Sequence, residues 1–284
     1  MTSTRRVASR ILVAVTTCGQ ADYTARCLKS LAKHSCDVAV IDDCSHDHTA
    51  DVCHRMNVEF LGRHFPMGLT QSYNLAYRRF LQLNYDCLII SNNDVIVPDG
   101  TLQVMSEKLR RFPYVGALTR PGDLSAYREH NVCAYHDFPA SIDPDDPSHC
   151  QTIADMIRSS RLRPRQVPRL YGFFFGVSRA IQPFAYSKHF LFNPRLINIG
   201  QERDLGDRAS GGHICLDAFV FHHKGISTGV TNVRSGGREI RNTLCRYHTS
   251  RAGILIGKAL RVCESFRSEC ERWMESHAFH RKAA

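Results

Sequence analysis

The chain has twelve cysteines but no CxxC pair, so the clustered ligands of a structural zinc site are missing. It has no GxGxxG stretch and no HExxH, which leaves no sequence ground for a dinucleotide fingerprint or a zinc protease. GILIGK (253–258) falls one residue short of a P-loop and follows no strand pattern. No apolar run approaches the ~20 residues that span a bilayer. The opening MTSTRRVASR is basic, but ILVAV after it is too short for the apolar core of a secretory signal. Together these absences predict a cytoplasmic, reducing setting with free thiols. Internal repeats and low-complexity tracts are also absent.

What is present is a 284-residue chain, 43% hydrophobic, with ample material for a core. Its formal charge is +10 and its pI about 9.1, a balance that suits an anionic partner. The excess is uneven. Residues 234–284 hold eleven Lys and Arg against five Glu, six of the ten net charges.

The first 120 residues alternate. Apolar strands are predicted at 11–17, 37–42, 58–62, 85–91 and 115–119, and helices at 21–34, 48–56, 68–83 and 99–112, the last capped by Asp99. Such alternation predicts an α/β fold with a doubly wound, mostly parallel sheet, which binds ligands at the carboxyl ends of its strands. Residues 120–170 are rich in Pro, Asp and Arg and read as loop with one helix at 151–160. A short helix near 200–210 and a strand at 213–223 follow. From Arg238 the pattern is helical and basic, with an apolar seam of Cys263, Phe266, Cys270 and Trp273. The expected division is a domain over 1–230, changing character near 120, and a helical extension over 231–284.

Four stretches hold side chains fit for chemistry. IDDCSHDHT (41–49) puts acids after a strand, where Asp43 can accept from a base or ribose; ordinary turn chemistry explains the same residues. SNNDVIV (91–97) ends a strand on three polar groups with one charge. Asp94 is a hard oxygen donor suited to Mg²⁺ or Mn²⁺ on a diphosphate, and Asn92 can serve a ribose hydroxyl. An Asx-rich turn is the alternative. GQERDLGDR (200–208) offers Glu202 and Asp204; one carboxylate suffices as a base for a direct displacement, and a charged helix start is the alternative. FVFHHKG (219–225) brings His222 or His223 to a strand end, within the chemistry of Mn²⁺.

In this order the four stretches resemble the family 2 glycosyltransferases of the GT-A fold, from about Ile11 to Thr228. VTTCGQADYTARCLKSL (15–31) is similar to the family's first strand and helix, and IDDCSHDHT to its V-D-D-x-S-x-D-x-T. GLTQSYNLAYRR resembles its G-x(5)-N helix, SNNDV its DXD motif, GQERDL its G-E-D-x-D-L, and FHHKGIST the segment that closes the site. The resemblance implies that Thr16, Thr17, Asp43, Asn74 and Asn92 bind the nucleotide, that Asp94 and His222 hold a divalent metal, and that Glu202 is the base. Two departures stand out: Asn92 replaces the first acid of DXD, and Glu202 replaces Asp, with Gln201 before it.

The implied reaction is metal-dependent transfer of a sugar from a nucleotide-diphosphate sugar to an acceptor hydroxyl, with inversion. The acceptor stays open among a glycan, a lipid-linked sugar, a protein and a nucleic-acid base. Two rival classes remain, a nucleotidyltransferase and a non-catalytic nucleotide-sugar binder. For the first, the loop TTCGQAD lacks the usual Gly-rich, Lys- or Arg-bearing character. The basic tail has three readings: a helix packed by its Cys263–Trp273 seam, a peripheral contact of 238–284 with anionic membrane, or a nucleic-acid surface.

Overall fold

A computed structural model of the chain describes residues 9–122, 128–198, 200–223 and 251–282, with side chains in the last stretch from 255 to 272. Three expectations therefore lie outside the described residues: Lys224–Thr228 of the closing segment, the boundary at 230, and the start of the basic extension.

Ten strands and seven α-helices are described, with short 3-10 turns between them. The strands are β1 (Ile11–Thr17), β2 (Asp37–Asp42), β3 (Glu59–Gly62), β4 (Cys87–Asn92), β5 (Val95–Ile96), β6 (Tyr114–Leu118), β7 (Arg165–Val167), β8 (Phe174–Ser178), β9 (Gly212–Phe219) and β10 (Phe221–His222). The helices are α1 (Ala21–Leu31), α2 (Thr49–Arg55), α3 (Leu69–Gln82), α4 (Thr101–Leu109), α5 (Cys150–Ser159), α6 (Gln201–Arg208) and α7 (Arg251–Lys282).

Eight strands form one sheet in the order β3-β2-β1-β4-β8-β6-β9-β7. The left half, β3 to β4, is parallel throughout, as βαβ crossovers require. β8 enters antiparallel between β4 and β6, and β7 runs antiparallel to β9. The sheet is thus mixed, with four of its seven pairings parallel, in line with the mostly parallel expectation. Hydrophobic period reveals a strand but carries no direction. The run read as one strand at 213–223 is two. β9 ends at Phe219, and β10 leaves the main sheet to pair with β5, His222 opposite Val95.

Side chains alternate across the sheet and feed two cores. Leu12 and Ala14 of β1 share one core with Tyr73, Ala76, Tyr77 and Phe80 of α3, and this core extends to Ile153 and Ile157 of α5. Val13 and Val15 pack on the other face with Cys27, Leu28 and Leu31 of α1 and Leu102, Met105 and Leu109 of α4. Each fully buried Leu, Ile, Val, Phe or Met among these contributes about 1.5–3 kcal/mol. Asp99 does not cap α4: the cap position is Gly100, and the Asp99 carbonyl instead accepts from Arg158.

Eleven cysteines are described and all are free. Burial pushes up the thiols of Cys27 and Cys150, each to about 12, so both stay neutral near pH 7.

α7 packs on the domain, but not by the expected seam. Cys263, Phe266 and Cys270 are exposed, and the Trp273 side chain lies outside the described residues. The buried face is polar. Arg78 pairs with Glu264 at 3.3 Å, and the Arg261 guanidinium donates to the Pro66 carbonyl at 3.2 Å. Ser187 donates to Glu271 at 3.0 Å, and His189 lies 3.1 Å from the same carboxylate. The domain surface under α7 offers charges and carbonyls, so a polar face is the complementary one. At Gly257 a Cβ would stand 2.2 Å from the Pro66 carbonyl oxygen, so only glycine permits this approach.

Candidate active site

The carboxyl ends of β1, β2 and β4 lie side by side, with Thr16 in register with Ile41 and Asn92, and Thr17 with Asp42. The sequence-predicted residues Thr16, Thr17, Asp43, Asn92 and Asp94 therefore share one rim of the sheet.

At the end of β2 the acids serve the protein. Asp42 accepts from the Ser45 backbone N–H at 2.9 Å and from the Ser45 hydroxyl. Burial pushes its carboxyl up, against the Ser45 hydrogen bonds. Asp47 accepts from the N–H groups of Thr49 and Ala21, both at 3.0 Å, and so ties the start of α2 to the start of α1. Burial opposes its ionised form, but the hydrogen bonds outweigh burial and hold this carboxyl below the usual range. Asp43 is gripped by Arg63 at 3.0 Å and by the N–H groups of Met67 and Gly68 at 2.8 and 2.7 Å. Those three donors close the 63–68 loop over the strand end. Arg261 reaches the same corner from α7: burial lowers its pKa and the Asp43 carboxylate opposes that shift.

The threonine hydroxyls also point into the protein. Thr16 donates to the Ser91 carbonyl at 3.3 Å and Thr17 to the Gly19 carbonyl at 2.8 Å. Asn74 is a correction to the nucleotide set. Its side-chain amide donates to the Phe192 carbonyl at 3.0 Å, and its oxygen accepts from the Phe192 N–H at 2.9 Å, both deep in the core. With both ends engaged it pins α3 to the segment leading to α6. Gln71 does the same through the Pro194 carbonyl, and Leu69 through the Asn198 side chain.

The end of β4 sorts its three polar side chains. Asn93 turns inward and donates to Thr17 and Thr24 at 3.0 Å and to the Gly19 carbonyl at 3.1 Å, fixing the loop before α1. Asn92 is half-buried, and its amide makes no hydrogen bond to a described residue. Asp94 is 3% exposed, and its Oδ1 takes no hydrogen bond from any described residue. That oxygen lies 3.2 Å from Nε2 of His222, itself 4% exposed. The β5–β10 pairing makes this meeting, reinforced by the His223 N–H donating to the Asp94 carbonyl at 2.9 Å.

Two residues with no sequence signal support the pair. Arg120 donates to the carbonyls of His222 and His223 at 2.9 and 3.3 Å and lies 5.4 Å over the Phe221 ring. Phe173 stacks on the His222 imidazole with centroids 4.9 Å apart, and its carbonyl accepts from the Asn92 N–H at 2.8 Å.

The neighbouring Gly172 touches the third centre. A Cβ there would fall 2.3 Å from Oε1 of Glu202 and 2.7 Å from the Tyr73 hydroxyl, which itself donates to the Gly172 carbonyl at 2.7 Å. Gly172 is thus bare so that the Glu202 carboxyl can lie against the backbone. Burial pushes that carboxyl up to about 7, while Arg169, a backbone bond at Gly172 and the Gln201 amide at 3.2 Å favour its ionised form. Asp204, the other carboxylate of this stretch, is paired with Arg208 at 2.7 Å. The Gly172–Phe173 dipeptide therefore joins the carboxyl of α6 to the Asp94–His222 pair. The signal for it was available in LYGFFFG, where a glycine interrupts a run of aromatics, but nothing in the spacing tied it to Glu202.

A buried carboxylate and imidazole at a sheet rim, beside a second carboxyl titrating near 7, form a site for handling anionic and hydroxylic groups. No curated protein matches the chain. Among solved structures it is similar to TarS 1–349 of S. aureus, with 15% identity, a TM-score of 0.50, and coverage of 75% of this chain and 60% of that one. It is also similar to GalNAc-T7 crystallised with UDP, GalNAc and Mn²⁺, at 13% identity and a TM-score of 0.52, covering 75% of this chain and 44% of that one. The chain thus spans about three-fifths of the first and under half of the second, and at these identities the likeness is one of fold, here GT-A-like. The family model described as Glycosyl transferase family 2 matches residues 12–181, more than half of the sequence. The chain belongs to glycosyl transferase family 2.

Proposed function

We propose that this chain transfers a sugar from a nucleotide-diphosphate sugar to an acceptor hydroxyl, with a divalent metal, and with inversion at the anomeric carbon. Family membership and the GT-A-like fold support the donor class, and GalNAc-T7, a neighbour of the same fold, was crystallised with UDP and Mn²⁺. The observation that carries the reading is the meeting of Asp94 and His222 at the end of β4, with the Glu202 carboxyl lodged on the adjoining Gly172.

The donor set fits Mn²⁺ or Mg²⁺. Asp94 offers a buried carboxylate oxygen that no described donor uses, and His222 a nitrogen 3.2 Å away, a pairing that favours Mn²⁺. Among the described residues no three His, Cys, Asp or Glu gather as a metal cage, so a diphosphate and water must complete the shell. Such an ion, when bound, supplies Lewis-acid neutralisation of the leaving diphosphate, worth several kcal/mol.

The protein's own groups do the rest. Asp43, with Arg63 and the 63–68 loop, walls the nucleoside end, and Asn92 presents an unengaged amide toward a ribose hydroxyl. Glu202 takes the proton of the acceptor hydroxyl onto a carboxylate oxygen. Its pKa of about 7 lets it hold a useful basic fraction at neutral pH and still accept a proton readily. The Gln201 amide orients it. One displacement with one base gives inversion.

The test is to incubate the chain with a panel of nucleotide sugars and Mn²⁺ and to follow free nucleoside diphosphate. Release from one donor, absent with Asp94→Ala, supports the reading and names the donor. Failure to release from any donor, with a broad acceptor mixture present, would refute it. An NMR coupling constant at the new anomeric centre then decides inversion.

A further inference from the structure

α7 presents one face to the domain and a different one to its surroundings. Gly257, Arg261 and Ser268 are buried and Glu264 and Glu271 half-buried, the spacing of a single helix face. The charged members of that face are partnered by Pro66, Arg78, Ser187 and His189, as described above. The orientation of the helix about its own axis is therefore set by polar contacts.

Apolar side chains cover much of the rest, Leu255, Val262 and Phe266 opposite that face and Ile256 and Leu260 along one flank. Leu255 is 64% exposed, Ile256 42%, Leu260 39%, Val262 68% and Phe266 71%, with Cys263 and Cys270 exposed beside them. Among the described residues only three other large hydrophobics reach comparable exposure, Leu83, Met156 and Leu162, so five of eight fall within twelve residues of one helix. A concentration of this kind on an otherwise well-covered surface marks a contact site.

Charge tells which contact. At 3.6 residues per turn, Lys258 borders the stripe next to Val262 and Arg267 falls on the side of Ile256 and Leu260, both exposed. The nearby acid, Glu269, is paired with Arg195 at 2.9 Å. A second copy laid on the stripe would bring these cationic margins, and two chains of net charge +10, together. An anionic bilayer instead offers hydrocarbon to the stripe and phosphates to its margins. No described helix is long and apolar enough to cross a membrane, so the fitting geometry is a helix lying in the interface.

We propose that α7 docks the protein on anionic lipid bilayers through Leu255, Ile256, Leu260, Val262 and Phe266, with Lys258 and Arg267 on headgroup phosphates. The inward face of the same helix holds the 63–68 loop through Gly257 and Arg261, so docking fixes the nucleotide rim relative to the bilayer surface.

The full chain is tested by co-sedimentation with vesicles of neutral phosphatidylcholine and of phosphatidylcholine containing about 30% phosphatidylglycerol. Binding to the anionic vesicles should be at least about tenfold tighter, and Val262→Asp with Phe266→Asp should weaken it at least about tenfold. Lys258→Glu with Arg267→Glu should weaken it less at ~0.5 M salt than at ~0.1 M, where charge is felt. These side chains point outward, and an unchanged melting curve verifies that the variants fold. Equal binding to both vesicle types, or anionic binding that survives the double aspartate variant, overturns the proposal. So does a dimer in sedimentation velocity that the aspartate variant dissolves while lipid binding is absent. No donor or turnover enters this test, so its failure leaves the transferase reading standing, and the reverse holds too.

Discussion

Two strand ends of the same sheet carry similar polar residues with opposite fates. At the end of β2, Asp42, Asp43 and Asp47 receive hydrogen bonds from Ser45, Thr49, Ala21, Met67 and Gly68 and an ion pair from Arg63. At the end of β4, Asp94 is as deeply buried as Asp42 and Asp43, yet no described donor bonds its Oδ1, and its close neighbour is an imidazole. A buried carboxylate surrounded by donors builds a loop. A buried carboxylate left without them costs the fold free energy, and such a cost persists where a ligand offsets it. The first rim is tied into the fold by its own hydrogen bonds and the second is the one proposed for chemistry, although both read as strand-end acids in the sequence.

The sharpest break of this comparison is at Asp94. Asp94→Ala should lower metal-dependent turnover at least about 10³-fold, measured as nucleoside diphosphate release. Next comes Glu202→Gln, which should cost at least about two decades in kcat while leaving donor KM within about twofold. For the wild type, kcat/KM should rise about tenfold per pH unit up to an inflection near 7, because only the ionised carboxylate accepts the proton. Linkage gives a second reading of the same residue. Its pKa is raised from 4.5 to about 7 on folding, so stability falls as pH rises through that window. Glu202→Gln should then melt above wild type at about pH 8, and the gap should close at about pH 4.

A smaller effect is expected at Gly172→Ala. The added methyl meets Oε1 of Glu202 and the Tyr73 hydroxyl, so the base must shift, and kcat should drop about 10- to 100-fold with the metal-dependent nucleotide affinity unchanged. The smallest kinetic effect belongs to the scaffold rim. Asp47→Ala should remove about 1 kcal/mol of stability and lower Tm by about 2–4 °C, with kcat unaltered. A kinetic loss at Asp47 as large as that at Asp94 would dissolve the distinction between the rims.

The parallel left half of the fold was legible because each of its strands and helices has its own period and the crossovers follow a fixed hand. The antiparallel β8 was not, since its direction is set by a long connection through 120–170 rather than by any local pattern. The same is true of β5 and β10, two residues each, whose pairing creates the Asp94–His222 contact. The motif order singled out Asp94, His222 and Glu202, and the structure sets Asp94 beside His222. It misplaced Asn74, whose amide answers to the Phe192 backbone, a partner 118 residues away. The α7 seam failed for a related reason: helical spacing shows that a stripe exists, and the facing surface decides whether the stripe turns inward. Arg78, Ser187 and His189 made that surface polar.

The claim that the β4 rim is the metal-diphosphate pole is tested most directly by calorimetric titration of a nucleoside diphosphate into the protein with and without Mn²⁺. The account predicts that Mn²⁺ tightens binding at least about tenfold in the wild type and in Glu202→Gln, and by less than about twofold in Asp94→Ala and His222→Ala. Equal tightening in all four proteins would contradict it.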